Sequence, residues 1–135
     1  MSKENYQIIR RFGPSIFKIK IPKDIVDKLN SYIDNLVKDQ EKTKKLNYGE
    51  HLVGDVTQEF LLEKKIITES GWLNFLSTCT QKWIEVETGK RISKFALKQS
   101  WIVRQFKNEY NPLHHHGDHI SGVGYLKVPK NLGNT

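Results

Sequence analysis

Ile25, Val26, Leu29, Ile33, Leu36 and Val37 recur at the three- and four-residue spacing of a single helical face. Pro22 stands just ahead of them, where it ends an extended segment and suits the first turn of a helix. The spacing predicts an amphipathic helix over about 23–38. Such a stripe must be covered by other apolar surface, so the rest of the chain has to supply a core.

A second helix is expected after residues 68–71. Trp72, Phe75, Leu76, Cys79 and Trp83 share a face, Val86 extends it, and Gly89 is placed to end the helix in a left-handed turn. Cys79 on that face reads as a small core residue. It is the only cysteine, which excludes an internal disulfide and a thiolate metal cluster within one chain, and suits a reducing compartment.

The remaining segments read differently. Residues 6–21 look extended, with Ile16, Ile19 and Ile21 apolar, Lys18 and Lys20 between them, and a turn at Gly13-Pro14-Ser15. Residues 39–56 are polar, contain Gly49 and Gly54, and read as loop. Val56, Phe60, Leu61 and Leu62 suggest a short helix. Over 93–106 the period changes to two. Phe95, Leu97, Gln99, Trp101 and Val103 point one way; Ala96, Lys98, Ser100, Ile102, Arg104 and Phe106 point the other, as in a long or bulged strand. A further strand is expected over 120–128, closed by Pro129, with Gly122 and Gly124 marking a close approach of another group. Two adjacent strands seldom make a stable sheet. Either the segment near 16–21 joins them, or further strands come from elsewhere.

The chain has 135 residues, which fits a single domain, divided here into a strand-and-helix part over 1–92 and a β part over 93–135. Apolar residues at 37% and charged residues at 27% suit a globular protein rather than a disordered one. Met1-Ser2-Lys3-Glu4-Asn5 has no signal-peptide character, and no run approaches the ~20 apolar residues of a membrane helix. An intracellular, soluble protein is expected, with no membrane partner. The net charge of +7 raises a nucleic-acid partner, but the lysines are spread thinly. Their densest patch, 38–45, includes Asp39 and Glu41 and reads as a solvated helix end and loop. No internal repeat, phosphate loop, dinucleotide fingerprint, zinc finger or serine-hydrolase elbow is found.

The chemistry concentrates in His114-His115-His116-Gly117-Asp118-His119, which holds four of the five histidines. In a strand, His114 and His116 share a face and His115 points away. Two neutral imidazoles on one face suit Fe(II), Zn(II), Ni(II) or Cu(II), given at least a third ligand. Asp118 has the right parity and chemistry. Five extended residues span ~13 Å, so His114, His116 and Asp118 converge only if Gly117 turns sharply. A surface run with adventitious metal affinity, or a strand end whose histidines only form hydrogen bonds, are the plainer alternatives.

The stretch from Asn108-Glu109-Tyr110-Asn111-Pro112-Leu113 through the histidines to Ile120-Ser121-Gly122-Val123-Gly124-Tyr125-Leu126-Lys127-Val128-Pro129 resembles the metal-binding strand of iron(II)- and 2-oxoglutarate-dependent oxygenases of the bacterial and marine phage type. Trp101, Leu52-Val53-Gly54 and Glu59 fit the same pattern upstream, and the likeness is specific over about 101–129. It implies N-terminal helices packed on a double-stranded β-helix, or jelly roll, that is incomplete in this chain. It implies Fe(II), 2-oxoglutarate as co-substrate, and hydroxylation of a small-molecule or protein substrate. His114 becomes an iron ligand, and His116 stands where most members carry aspartate. Tyr125 and Trp101 become co-substrate-pocket residues, with Arg104 nearby. The family's distal histidine and basic residue have no counterpart up to Thr135, which reads as a fragment, a split product or a degenerate member. The expected activity is a non-haem iron dioxygenase in the cytoplasm, the host's if phage-encoded. A truncated metal-binding or assembly protein with the same fold and a basic nucleic-acid-binding domain are the alternatives, and a homo-oligomer is left open.

Overall fold

A computed structural model describes residues 6–131. The expectation drawn from Met1-Ser2-Lys3-Glu4-Asn5 lies outside the described residues. The order is β1 (Tyr6–Ile9), β2 (Ile16–Ile19), α1 (Lys23–Leu36), α2 (Gln40–Leu46), a single 3-10 turn (Gly49–His51), β3 (Gln58–Leu61), α3 (Lys64–Glu69), α4 (Trp72–Thr88) and β4 (Trp101–Arg104).

Helix α1 forms where the apolar stripe predicts it. Its first turn begins after Pro22, whose carbonyl accepts from Val26 N at 3.1 Å, and Asp24 complements the positive helix end. Ile25, Leu29, Ile33 and Leu36 turn into the core and meet Phe60, Leu62 and Ile102 from the β3–β4 side. The polar stretch expected as loop contains helix α2. It buries no residue, and its start is fixed by Asp39, whose Oδ1 accepts from Lys42 N at 3.0 Å. α4 also follows expectation. Gly71 at φ 85° introduces it, and Gly89 at φ 69° ends it, with its N–H on the Glu85 carbonyl. Cys79 is buried on its inner face, and burial pushes its thiol pKa up, as suits a packed residue.

The strands form two separate antiparallel pairs. β1 and β2 make a hairpin, with Tyr6 opposite Ile19 and Ile8 opposite Phe17. Phe17 stacks on Tyr6 and reaches Trp83 of α4, while Trp83 Nε1 donates to Ser15 Oγ at 2.8 Å. Arg10 closes the contact by pairing with Glu87. The hairpin therefore docks on α4 and does not join the second sheet. There, β3 lies against β4, with Phe60 opposite Ile102 and Leu61 opposite Trp101.

The jelly roll expected from the resemblance is not formed. That fold closes eight strands in two facing sheets. The described residues hold four strands in two unconnected pairs, a small α+β arrangement. The short helix expected near 56–62 is strand β3, because Phe60 and Leu62 bury alternately against α1 and a helix would turn one of them away. The long strand over 93–106 shortens to Trp101–Arg104, the one stretch with a partner. Residues 120–128 form no ladder, so the strand expected there is not made, and all of them but Leu126 are exposed. Leu126 packs against the core, its carbonyl accepting from Asn30 Nδ2 at 3.4 Å, and Gly124 lies so close to Ile21 and Trp72 that a Cβ there would crowd them, the close approach expected at that glycine. No helix among the described residues is long and apolar enough to cross a membrane.

Candidate functional site

The second sheet has two faces. Leu62 N donates to Ser100 O at 2.9 Å, which sets the parity of the ladder. Phe60 and Ile102 project to the core. Glu59, Leu61, Trp101 and Val103 project to the opposite, outer face. The segment after β4 is shaped by Glu109. Its Oε1 accepts from Thr57 N at 3.2 Å and from Thr57 Oγ1 at 2.6 Å, and its Oε2 accepts from Phe106 N at 2.8 Å. These donors favour the ionised form and lower its pKa. Asp55 and Tyr110 then exchange backbone hydrogen bonds at 2.9 and 3.3 Å, so the chain is anchored before it turns back at Pro112.

On its return it crosses the outer face. The His114 and His116 rings meet edge to face with centroids 4.9 Å apart, and their Nε2 atoms are 3.2 Å apart. His116 lies 6.0 Å from the Trp101 ring. Beneath them Glu59 is only 2% exposed. Burial raises its pKa, a hydrogen bond from Asn111 and the charge of His114 offset part of that, and the charge of Glu109 adds to it. Gly54 makes room for Asn111. At φ 153° its backbone favours glycine, and a Cβ there would overlap Asn111 Oδ1.

The structure brings His114, His116 and Trp101 together and leaves the other expected site residues apart. Asp118 turns away and pairs with Lys98 at 2.5 Å. The chain bends at residues 117–119 without a positive φ at Gly117, and the bend carries Asp118 to Lys98 and not back to the imidazoles. Tyr125 is 75% exposed. Arg104 donates to Gln58 Oε1 at 2.7 Å and lies over Phe106, as a member of the sheet. No group of three or more histidine, cysteine, aspartate or glutamate side chains able to hold a metal ion occurs among the described residues. The residues present therefore do not fit an Fe(II) centre with 2-oxoglutarate, and the expected metal-binding dioxygenase activity is overturned together with its cofactors. The truncated metal-binding form of the same fold falls with it.

Glu59, Glu109 and Asn111 enter the sequence reading only through the family likeness, which foretells neither the burial of Glu59 nor the loop-fixing bonds of the other two. A signal was present for Glu59. It flanks Phe60 within an apolar run, and only strand parity separates it from the core. Farther along the chain Leu113, Ile120, Val123, Tyr125 and Val128 are large and exposed, while Gly124 and Leu126 between them lie against Ile21, Trp72 and Asn30. No protein-family model matches the chain, and no curated protein or solved structure matches it.

Proposed function

We propose that this chain is an assembly domain that binds an extended, acidic segment of another protein along its outer sheet face and residues 113–128. The apolar side chains exposed in succession from Leu113 to Val128 carry this reading. Large apolar side chains left exposed within one segment favour a place of contact.

Charge favours an acidic occupant over a second copy. The chain carries +7, and residues 98–130 bear Lys98, Lys107, Lys127 and Lys130 against Glu109 and Asp118, with Arg104 projecting to the inner side beside Gln58. Two such faces repel each other, whereas an acidic segment is steered toward them. The resemblance over 101–129 is kept only as a proposal of common ancestry, apart from any chemistry.

The test is titration of the chain with a capped peptide alternating valine and glutamate, followed by tryptophan fluorescence. A peptide alternating valine and lysine is the control. Saturable binding of the acidic peptide is expected, weakened about tenfold or more by Val123→Ser with Tyr125→Ser. Both positions are exposed, so the fold is retained. Equal affinity for both peptides, binding to neither, or dimerisation of the chain through this face overturns the proposal.

A further inference from the structure

The ladder parity that places Phe60 and Ile102 inward also aims the backbone of β4. Residues 100, 102 and 104 direct their N–H and C=O groups toward β3. Trp101 and Val103 direct theirs to the other edge, where no backbone partner meets them among the described residues. A bare strand edge of this kind pairs readily with any extended segment brought beside it.

A segment that could reach it lies close by, across the outer face. Beyond Pro112 the chain runs back antiparallel to β4. His114 acts on Glu59, which is paired with Val103; His116 faces Trp101; Asp118 reaches Lys98. His114 and His116 lie on the same side of the sheet as Trp101, which is the parity of a third strand. Yet residues 114–118 form no ladder with it. Two contacts hold the returning chain as it is. Lys98 pairs with Asp118, one residue away from the His119 it would face in a regular ladder, and Asn30 holds the Leu126 carbonyl.

We infer that residues 114–118 close onto β4 as a third antiparallel strand, His116 opposite Trp101 and His114 opposite Val103, when the acidic partner docks. The trigger rests on the assembly reading; the pairing does not. Closure supplies partners to the outward groups of Trp101 and Val103. It also replaces a two-stranded sheet, which is marginal by itself, with a three-stranded one. The partner then packs on a three-stranded outer face.

Cross-linking in the full chain tests the register. In a hydrogen-bonded antiparallel pair the Cα atoms are about 5.5 Å apart, within disulfide reach. Val103→Cys with His114→Cys is expected to cross-link under mild oxidation. Val103→Cys with His115→Cys, which points to the opposite face, is expected to remain reduced. In the oxidised first variant the Trp101 amide should exchange with solvent more slowly. The acidic peptide should bind severalfold more tightly, because the strand is already ordered. Equal cross-linking of the two pairs, or unchanged exchange at Trp101 in the cross-linked form, overturns the inference. Selective cross-linking with no peptide binding in any form leaves the pairing standing and overturns the docking trigger and the assembly reading.

Discussion

His114 Nε2 lies 3.2 Å from His116 Nε2, and a hydrogen bond is what the geometry provides between them. The Pro112 carbonyl, 2.8 Å from His114 Nδ1, can only accept. In the neutral pair His114 therefore carries its proton on Nδ1, and its Nε2 accepts from His116 Nε2–H. Nitrogen-15 NMR at a pH where both rings are neutral should show the Nδ1–H tautomer for His114 and the Nε2–H tautomer for His116. The same tautomer at both rings would contradict this arrangement.

The core prediction separates the inner face of the second sheet from the outer. Phe60 and Leu29 are fully buried, and each joins α1 to β3 and β4. Phe60→Ala should cost about 3–5 kcal/mol and Leu29→Ala about 2–5 kcal/mol of unfolding free energy. Val123→Ser should change it by less than about 0.5 kcal/mol. Urea unfolding of the three variants measures this, and a Val123→Ser loss comparable to that of Leu29→Ala would place residue 123 in a core.

Glu59 makes stability depend on pH in a defined direction. Burial raises its folded-state pKa, so the folded chain favours the protonated carboxyl. That contribution is complete below the unfolded value of about 4.3 and is lost as pH rises through the raised folded value. Glu63 and Glu109 act oppositely. Lys42 and Tyr32 lower the first, Thr57 and Phe106 the second, so their contributions are lost as pH falls. Glu59→Gln should therefore gain stability relative to the parent as pH rises from 4 toward about 7. A difference independent of pH across denaturation curves would contradict the assignment.

Gly54 is required by its neighbour as well as by its backbone. Gly54→Ala would drive a methyl group into Asn111 Oδ1 at a φ that disfavours side chains. A loss of about 1–3 kcal/mol is expected, together with faster amide exchange around Tyr110, whose bonds to Asp55 anchor the loop. Unchanged exchange at Tyr110 would show that Gly54 and Asn111 are not coupled.

The helices were legible in the sequence because each carries its own signal. Ile25, Leu29, Ile33 and Leu36 spell one face, and Gly89 marks an end whatever lies beyond it. α2 was not legible because it buries nothing, so its seven residues leave no apolar period. The β segments misled for a different reason. Strand character depends on a partner, and periodicity cannot name one. Residues 101–104 find β3, while 93–100 and 120–128 alternate without finding any strand. At the site, parity placed His114 and His116 on one face, and the structure brings their rings together. The third donor was the weak link. Asp118 had the right parity, but its side chain goes to Lys98, and nothing in the spacing of Gly117 foretold its backbone. Glu59 was visible as a residue, but its burial follows from a loop that closes over it only in three dimensions.

Burial of apolar surface on docking has a thermodynamic signature that charge attraction alone lacks, a negative change in heat capacity. Calorimetric titration of the chain with the alternating valine–glutamate peptide at several temperatures is the most direct measurement of whether residues 113–128 form a docking surface. The expected result is a clearly negative heat-capacity change, substantially diminished by Val123→Ser with Tyr125→Ser. A change near zero in the parent chain, or one that the double substitution leaves intact, would contradict it.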